Sequence, residues 1–499
     1  MTDSGIPDLL RQAREVFGHD AAALAVVDEL RQRWEGPLRI AVAGMVKAGK
    51  STLLNAIIGE EIAPTDAGEC TRIVTWYRYG ATPRVTLHPL AGGSLAGGPR
   101  NVPVTREDGR LVFPLDGTPA EDVERLVVEW PAPGLKDLTL IDTPGIASLS
   151  TDVSGRSTAF LLPQDAPSAA DAVIYLMRHM HAADLGFLES FRDTAAGQSG
   201  TVNALAVLSR ADEVGAGRID SLISAAVISE RYSQDPDVKS LALGVVPVAG
   251  LLAQSARTMR QADFDALLAV ATMDRDQRER LLLSADRFIR GTGTAGSDGA
   301  GQLDTATRES LVNRFGLFGI RLGAALIRGG IDAPTPLAHE LARRSGLGHL
   351  LDSVDHLFQS RAGALKARAA VVGLEALLRT APAGSAEPLA TALERVRSGA
   401  HEFRELKLLA ALRTGSVPLD LRQSEEAERV VGGHGDLPAV RLGLPPDSSL
   451  EEISDAARSC LNRWRALADN PLMQPAAVEA CRVVQRSCEG MLAGIPAGR

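Results

Sequence analysis

An eight-residue segment that starts with glycine and ends in glycine, lysine and serine has the spacing of a phosphate-binding loop. The segment is Gly44-Met45-Val46-Lys47-Ala48-Gly49-Lys50-Ser51. Glycines let backbone N–H groups curl around an anion, the lysine reaches the β- and γ-phosphates, and the serine hydroxyl binds Mg²⁺. We therefore predict that this loop holds a nucleoside triphosphate. The residues expected to contact the nucleotide are Gly44, Val46, Lys47, Ala48, Gly49, Lys50, Ser51 and Thr52.

A second segment, Asp142-Thr143-Pro144-Gly145, directly follows the apolar run 138–141. An aspartate in such a place holds Mg²⁺ through water, and a glycine N–H bonds the γ-phosphate and moves when that phosphate leaves. The same four residues would also suit an ordinary turn. Because they follow a buried strand downstream of the phosphate loop, we predict Asp142 as a metal ligand and Gly145 as a nucleotide contact.

A third segment, Ser209-Arg210-Ala211-Asp212, ends another predicted strand. Guanine-binding loops carry Asn or Thr, then Lys, any residue and Asp in this place, and the Asp accepts hydrogen bonds from the guanine N1–H and amine. Here Asp212 keeps that carboxylate, Arg210 can stack on the ring, and Ser209 is a weaker substitute for Asn. A solvated loop charge is the alternative, and ATP is not excluded. We predict that these three residues bind the base of GTP.

A threonine that binds Mg²⁺ and orders a loop around the γ-phosphate is expected between the first helix of the nucleotide domain and the next strand. Thr71 lies in that interval, and Thr65 is a rival. Position favours Thr71. The predicted metal ligands are therefore Ser51, Thr71 and Asp142, and the predicted catalytic residues are Lys47, Lys50 and Thr71.

Alternating strands and helices must position these segments. Continuous apolar runs typical of a sheet covered on both faces predict strands at 38–43, 72–79, 84–88, 124–130, 138–142, 172–177, 203–208 and 245–249. The stretch 90–110 is rich in Gly, Pro and Ser and predicts an irregular insertion. Beyond about residue 255 only helical periodicity remains. We predict an α/β phosphate-loop domain with a mostly parallel sheet and helices on both faces, plus an all-α half.

Four regions follow from this pattern. N-terminal helices at 1–36 precede a nucleotide domain at 37–255, a helical neck and trunk at 256–436, and a small helical module at 437–499. In the helical half, 314–328 is the most apolar helix candidate, with arginines seven residues apart. It predicts either an interfacial helix on anionic lipid or a buried trunk helix with a solvated arginine edge.

The composition is that of an ordinary folded protein. Of 499 residues, 45% are hydrophobic and 23% are charged, and the net charge of −9 argues against a dedicated nucleic-acid binder. No apolar run approaches the ~20 residues of a membrane-spanning helix, and no secretory signal is visible. Four scattered cysteines indicate buried thiols rather than a disulfide framework. We expect a cytoplasmic protein that could still contact a membrane from one side.

Together these residues resemble the bacterial branch of the dynamin superfamily of large GTPases. Within it the sequence is most similar to the isoniazid-inducible dynamin-like proteins of actinobacteria, specifically the shorter type C. The stretches that carry this likeness besides the motifs are 63–67, 71–76, 209–220 and 314–321. The resemblance implies a GTPase that uses Mg²⁺ and dimerises through its G domains, and action at the inner membrane beside a larger dynamin-like paralogue.

Two departures from the dynamin pattern concern catalysis. Eukaryotic dynamins carry Gln-Ser inside the phosphate loop where this chain has Val46 and Lys47, and valine cannot orient an attacking water. No glutamine follows Gly145 either. Related guanylate-binding proteins place an arginine finger at the position of Lys47. We hypothesise that Lys47 neutralises transition-state charge; the alternative is that it contacts only ground-state phosphate.

Three functions remain open at this point. The first is a dynamin-like GTPase that couples G-domain dimerisation to movement of a helical stalk for membrane association or remodelling. The second is a soluble regulatory GTPase that controls a partner, and the third is a scaffold that binds nucleotide but barely hydrolyses it.

Overall fold

A mostly parallel sheet forms the centre of the first half of the chain. In the computed structural model, the residues described are 5–64, 73–90, 98–107, 110–113, 115, 118–144, 168–190, 202–290, 303–380, 386–399 and 401–494. Within them the strands are β1 Leu38–Gly44, β2 Val74–Tyr79, β3 Arg84–Pro89, β4 Arg100–Val102, β5 Thr105–Glu107, β6 Arg110–Val112, β7 Val123–Trp130, β8 Leu138–Asp142, β9 Ala172–Met177, β10 Ala204–Ser209 and β11 Val245–Val248. Nine of them form one sheet in the order β11-β10-β9-β1-β8-β2-β7-β3-β4, and β5 and β6 form a separate hairpin.

Strand β1 lies in the middle of this sheet and pairs in parallel with β8 on one side and β9 on the other. Strands β10 and β11 continue in parallel beyond β9. The carboxyl ends of these five strands therefore share one edge, where ligands bind in open α/β sheets. The three sequence segments predicted to bind nucleotide follow β1, β8 and β10, so the topology brings them together.

Both faces of the sheet are covered by helices. In β1, Ile40 and Val42 join a core that includes residues of the first helix after the strand, whereas Ala41 and Ala43 join a second core on the opposite face. This double burial explains the continuous apolar runs in the sequence, because no side of such a strand faces water. The predicted fold class is confirmed, and the eight predicted strands are present with ends shifted by at most two residues.

Helices account for most of the remaining described chain. They are α1 Ile6–Val16, α2 Ala21–Glu35, α3 Lys50–Ile58, α4 Ala182–Ser190, α5 Ser221–Gln234, α6 Pro236–Leu241, α7 Gly250–Arg257, α8 Gln261–Thr272, α9 Arg275–Leu281, α10 Ala285–Arg290, α11 Thr305–Arg328, α12 Pro334–Arg344, α13 Leu347–Leu357, α14 Ala362–Thr380, α15 Glu387–Gly399, α16 His401–Arg413, α17 Leu421–Val430, α18 Pro438–Arg441, α19 Leu450–Ala468 and α20 Pro475–Gly494. Short 3₁₀ turns occur at Ala120–Asp122, Pro133–Leu135, Ala211–Ala216 and Gln359–Arg361.

The irregular insertion predicted at 90–110 is partly wrong. Strand β4 pairs antiparallel with β3 at the edge of the sheet, and Val102 packs into the core. Strands β5 and β6 pair with each other. Glycine and proline weaken the interior of a sheet, but a three-residue edge strand needs a partner on one side only.

Helix α11 is the apolar helix indicated by the sequence. Among the described residues it alone is long and apolar enough to cross a membrane by length and composition, a test that core helices of soluble proteins also pass. Phe315 and Ile320 are fully buried in a core shared with α7, α8, α10 and α12. The helix is therefore a buried one, as one of the two interpretations predicted.

The solvated arginine edge predicted for this helix is partly wrong: Arg328 is exposed, but Arg314 and Arg321 are engaged with other parts of the chain. Arg314 forms ion pairs of 3.0 Å with both Glu61 and Asp263, and its side chain is only 16% exposed. Arg321 donates to the carbonyl oxygens of Gly217 and Leu282. Both arginines connect α11 to the α/β half, through Glu61 and Gly217, and between them the helical backbone is interrupted at Gly316, which has φ 59°.

The N-terminal helices α1 and α2 pack on α14 and α15, far along the chain. Their common core includes Leu9, Val27, Leu374 and Leu389. At the other end of the helical half, Arg413 on α16 donates to the carbonyl oxygens of Lys239, Ala242 and Leu243 at the end of α6. The division at residues 36, 255 and 436 stays a prediction.

Helix α2 is joined to the sheet by a buried ion pair. Arg33 and Asp171 lie 2.6 Å apart, with side chains 5% and 0% exposed. Burial lowers the pKa of Arg33, and the Asp171 carboxylate raises it. Asp171 also accepts a hydrogen bond from the Arg39 backbone N–H at 2.8 Å.

Replacing Arg33 with alanine should destabilise the protein by about 3–5 kcal/mol, because the Asp171 carboxylate would stay buried without its charged partner. Chemical unfolding of the nucleotide-free protein measures this. Arg31→Ala on the same helix is the matched control, since its pair with Glu35 is exposed and spans 3.5 Å; its unfolding midpoint should barely move. Equal effects of the two substitutions would contradict the prediction.

Candidate functional site

The predicted phosphate loop joins the end of β1 to the start of α3. Gly44 has φ 149°, and a Cβ there would lie 2.4 Å from the Leu176 carbonyl oxygen on β9, so a side chain does not fit. Gly49 has φ 96° and precedes α3 as its N-cap. Lys47 has φ 63°, a left-handed conformation that is uncommon outside glycine. These bends place the loop at a helix N-terminus, where backbone N–H groups and the helix dipole attract anions.

Lys50 turns its side chain back into this loop. Its Nζ donates to the carbonyl oxygens of Gly44 at 3.1 Å and Met45 at 3.3 Å. Burial lowers the pKa of Lys50, and the nearby Asp142 carboxylate raises it. A buried ammonium held only by neutral carbonyls gains energy when anionic oxygens replace them. Lys50 is therefore placed to bind phosphate.

The oxygens of Ser51 and Asp142 meet at the same edge of the sheet. The Ser51 hydroxyl donates to Asp142 Oδ2 at 3.3 Å. Burial raises the pKa of Asp142 to about 6, and the Lys50 ammonium and the Ser51 hydroxyl lower it. A hydroxyl beside a buried carboxylate fits Mg²⁺, which takes one or two carboxylates together with phosphate oxygens. Within the described ranges no group of three His, Cys, Asp or Glu side chains could hold a metal, so phosphates would have to complete the shell.

A cleft of about 170 Å³ runs from the phosphate loop to the loop after β10. Its described lining residues are Ala48, Gly49, Thr52, Leu53, Leu176, Val207, Ser209, Arg210, Asp212, Glu213, Val248, Gly250 and Leu251. Apolar walls with a few polar groups are typical of a site for a small molecule. The cleft therefore extends from the N-terminus of α3, which attracts anions, to the predicted base-binding segment 209–212.

The polar end of this cleft is formed by Ser209 and Asp212. The Ser209 hydroxyl donates to the Met177 carbonyl oxygen at 3.2 Å, which ties β10 to the end of β9. Asp212 is only 9% exposed. Burial raises the pKa of its carboxyl group, with a further increase from Glu213 and an opposing effect of Arg210. A buried carboxylate at the end of a ring-sized cleft is suited to accept paired N–H donors.

Arg210 connects the two loops. Its backbone is left-handed, with φ 52°, and its Nη2 donates to the carbonyl oxygen of Lys47 at 3.1 Å. Its Nη1 donates to Glu213 Oε1 at 2.7 Å. The guanidinium therefore spans the mouth of the cleft from the base side to the phosphate side.

Most of the predicted site residues lie at the ends of β1, β8 and β10 or in the segments that follow those strands. Those after β1 and β8 are Gly44, Val46, Lys47, Ala48, Gly49, Lys50, Ser51, Thr52 and Asp142, and those after β10 are Ser209, Arg210 and Asp212. Val46 is 46% exposed and is absent from the described lining of the cleft. Thr71 and Gly145 lie outside the described residues, as does Thr65.

Sequence reasoning missed two charged residues beside the cleft. Glu213 lines it and forms ion pairs with Arg210 at 2.7 Å and Arg178 at 2.8 Å. Arg178 directly follows β9, the strand between the two loops. The available signal was weak: Glu213 adjoins Asp212, and Arg178 follows an apolar strand, but neither belongs to a pattern.

Lowering the pH should weaken GTP binding through Asp212. Guanine N–H donors favour the ionised carboxylate, so binding lowers a pKa that burial raises in the free protein. Affinity should therefore be full above the pKa of the free protein and fall up to about tenfold per pH unit below it. Titrations of GTP from about pH 8 to pH 5 measure this.

Asp212→Asn is the control for this titration, because this variant and the wild type share every ionisable group except residue 212, and the shared groups include Asp142. The difference between the two pH profiles isolates residue 212. Parallel profiles would contradict the assignment of the carboxylate to the base.

Comparisons with known proteins identify a matching family and several similar bacterial proteins. A family model described as the dynamin family matches residues 40–185, which contain the phosphate loop and the Asp142 segment. The chain is similar to isoniazid-induced protein IniC of Mycobacterium tuberculosis, with 42% identity over 474 residues that cover 95% of this chain and 93% of that protein.

Two shorter similarities fall among bacterial relatives. Isoniazid-induced protein IniA of M. tuberculosis is 34% identical over 148 residues, which cover 29% of this chain and 22% of that protein. The bacterial dynamin-like protein of Nostoc punctiforme is 30% identical over 173 residues, covering 32% of this chain and 23% of that protein.

Proposed function

Since this chain belongs to the dynamin family, we propose that it is a GTPase that binds GTP with Mg²⁺ and hydrolyses it to GDP and phosphate. The observation that carries the proposal is the cleft with Asp212 at one end and the phosphate loop at the other. Lys50 and Ser51 belong to that loop, and Asp142 accepts a hydrogen bond from Ser51. The family match supports nucleotide chemistry, and the cleft supports guanine as the base.

The proposed roles in phosphate, metal and base binding follow from where each residue lies in the site. Lys50 exchanges its carbonyl partners for phosphate oxygens, and Ser51 and Asp142 are the residues that would hold the metal. At that position a magnesium ion would supply positive charge to neutralise the transferring phosphoryl group. Asp212 accepts the guanine donors, and the guanidinium of Arg210 lies along the edge of the ring. Thr71 and Gly145 are proposed to complete the γ-phosphate contacts.

Lys47 is the proposed source of transition-state stabilisation. It lies exposed on the loop, and its left-handed backbone leaves its carbonyl oxygen in contact with Arg210. An arginine finger contributes about 10³–10⁵-fold to phosphoryl transfer. A lysine lacks the planar fork, so its contribution should be smaller.

Replacing Lys47 with alanine should lower kcat for GTP about 10²-fold while changing the affinity for GTP less than about threefold. Phosphate release across a range of protein concentrations measures this, and a rise of kcat with concentration in the wild type indicates pairing of G domains. Lys136→Ala, which removes an exposed lysine near Tyr79, is the control. An unchanged kcat in Lys47→Ala would refute the role in catalysis.

The experiment that tests the proposed function compares GTP and ATP on the purified full chain. We expect GTP to bind at least about 10²-fold more tightly than ATP, because adenine lacks the paired donors that Asp212 accepts. We also expect phosphate release that requires Mg²⁺. Equal affinity for the two nucleotides would contradict guanine selectivity and favour a protein that also binds ATP. Binding without turnover would favour a nucleotide-binding scaffold.

The cellular role proposed for this GTPase is membrane association or remodelling. Paired G domains would move the helical half, on the cytoplasmic face of the plasma membrane, alone or beside a dynamin-like paralogue. M. tuberculosis contains both an IniC and an IniA, which supports a paralogue as partner. Co-sedimentation with anionic liposomes, with and without GTP, tests this; protein that stays in the supernatant in every case, with the paralogue present, favours the soluble regulatory GTPase.

A further inference from the structure

Glu213 holds a position that the proposed function leaves unexplained. It follows Asp212 directly and lines the cleft, yet it is a carboxylate beside a site for a triphosphate. A negative charge there would repel the nucleotide unless neighbouring cations neutralise it. Its two oxygens are both engaged: Oε1 accepts from Arg210 at 2.7 Å and Oε2 accepts from Arg178 at 2.8 Å.

The two arginines come from different elements. Arg178 follows β9, which lies in the sheet between β1 and β10, and Arg210 follows β10. Glu213 thus anchors Arg210 to the end of the neighbouring strand. With one nitrogen held by Glu213, the other terminal nitrogen of Arg210 reaches the Lys47 carbonyl oxygen at 3.1 Å.

Both ends of this connection have backbones that cost energy. Lys47 and Arg210 are two of the three non-glycine residues with positive φ in the described part of the chain. Such conformations persist only where surrounding contacts hold them, and they concentrate at functional sites. The contact between Arg210 and Lys47 joins two such residues across 163 positions of sequence.

We infer that Glu213 is a positioning residue for hydrolysis: by fixing Arg210 between the ends of β9 and β10, it sets the backbone of Lys47 and hence the direction of the Lys47 side chain. This inference rests on the proposed function. The contacts of Arg210 with Glu213 and Lys47 couple the base-binding loop to the phosphate loop. A correctly bound base therefore increases the rate of the chemical step as well as the affinity.

The size of the expected effect separates this role from an ordinary surface ion pair. The side chains of Arg178, Arg210 and Glu213 are 39–48% exposed. Exposed pairs contribute little to folding stability. Glu213→Gln, which keeps the shape and removes the charge, should therefore leave thermal stability unchanged, whereas kcat for GTP should fall about fivefold. The affinity for GTP should change less than about twofold, because Lys50, Ser51 and Asp212 stay in place.

The decisive measurement is a double-mutant cycle on kcat with Lys47→Ala. If Glu213 acts through Lys47, Glu213→Gln should lower kcat less than about twofold in the Lys47→Ala background, since the group that it positions is gone. Arg210→Lys should resemble Glu213→Gln in kcat, because one ammonium cannot replace a fork that contacts Glu213 and Lys47 with separate nitrogens. Glu279→Gln is the matched control: its exposed pair with Arg275, also at 2.8 Å, lies on α9, and its removal should not change kcat.

Three results would overturn the inference while GTP hydrolysis itself stands. They are independent, multiplying effects of Glu213→Gln and Lys47→Ala on kcat, an effect of Glu213→Gln on affinity alone, and a wild-type kcat in Lys47→Ala. Failure of the proposed function has a different signature, since the wild type would then release no phosphate from GTP. That result would overturn the inference as well.

Discussion

Replacing Lys50 with alanine is expected to lower kcat for GTP about 10²–10³-fold and to weaken nucleotide binding. The ammonium sits inside the phosphate loop, where it donates to the carbonyl oxygens of Gly44 and Met45. Those contacts are what phosphate oxygens would displace. Removal of Lys50 therefore deletes a full charge from the place where negative charge accumulates during transfer.

Stability measurements distinguish this loss from unfolding. Burial lowers the pKa of Lys50, which means that the folded protein disfavours its charged form. The Lys50 ammonium also favours the buried Asp142 carboxylate, so its removal has two opposing effects, and the Tm of nucleotide-free Lys50→Ala should change little. At GTP concentrations of about 100 Kd, the wild type should gain about 2.7 kcal/mol of stability, and the variant should gain almost none. If Lys50→Ala hydrolysed GTP as fast as the Lys136→Ala control, the proposed role of the phosphate loop in hydrolysis would be wrong.

The strands and the position of the site could be predicted because they follow from short-range patterns. A strand buried on both faces must be a continuous apolar run, and β1, β8, β9 and β10 are such runs. Parallel strands end at one edge, so segments that follow Ser209, Asp142 and Gly44 must converge there. The pattern of glycines, lysine and serine then predicts that phosphate binds where these segments meet.

The long-range ion pairs could not be predicted, because they depend on which surfaces meet. Arg314 contacts Glu61 across 253 positions, and nothing in either sequence neighbourhood marks the other as its partner. The same is true of Arg210 and the Lys47 carbonyl oxygen. The seven-residue spacing predicted a solvated edge of arginines on α11; Arg328 is exposed, but Arg314 and Arg321 find partners on other elements, as charged residues that are not exposed usually do.

Glu213 shows the same limit within the site. Sequence reasoning assigns the base to Asp212 because a carboxylate in that pattern has a known geometric task. The next residue carries the same functional group without a pattern, and only its contacts with Arg178 and Arg210 distinguish it from a solvated surface charge. Patterns therefore identify residues that touch a ligand better than residues that position them.

Replacing Asp212 with asparagine should convert the preference for guanine into one for xanthine. The carboxylate presents two acceptor oxygens to the N1–H and the exocyclic amine of guanine, and hydrogen bonds to a charged group contribute about 1.5–3 kcal/mol each. An asparagine presents one acceptor and one donor. Its amide N–H₂ meets the guanine amine donor to donor, whereas xanthine carries an oxygen acceptor at that carbon.

The affinity of Asp212→Asn for GTP should therefore fall about 10²-fold or more, and its affinity for xanthosine triphosphate should exceed that of the wild type. Asp220→Asn is the matched control, because that carboxylate is exposed and paired with Arg218 at 3.3 Å rather than turned into the cleft. A substitution that merely damaged the fold would weaken both nucleotides equally. A gain for one base with a loss for the other requires residue 212 to touch the ring, so unchanged GTP binding in Asp212→Asn would place the base elsewhere.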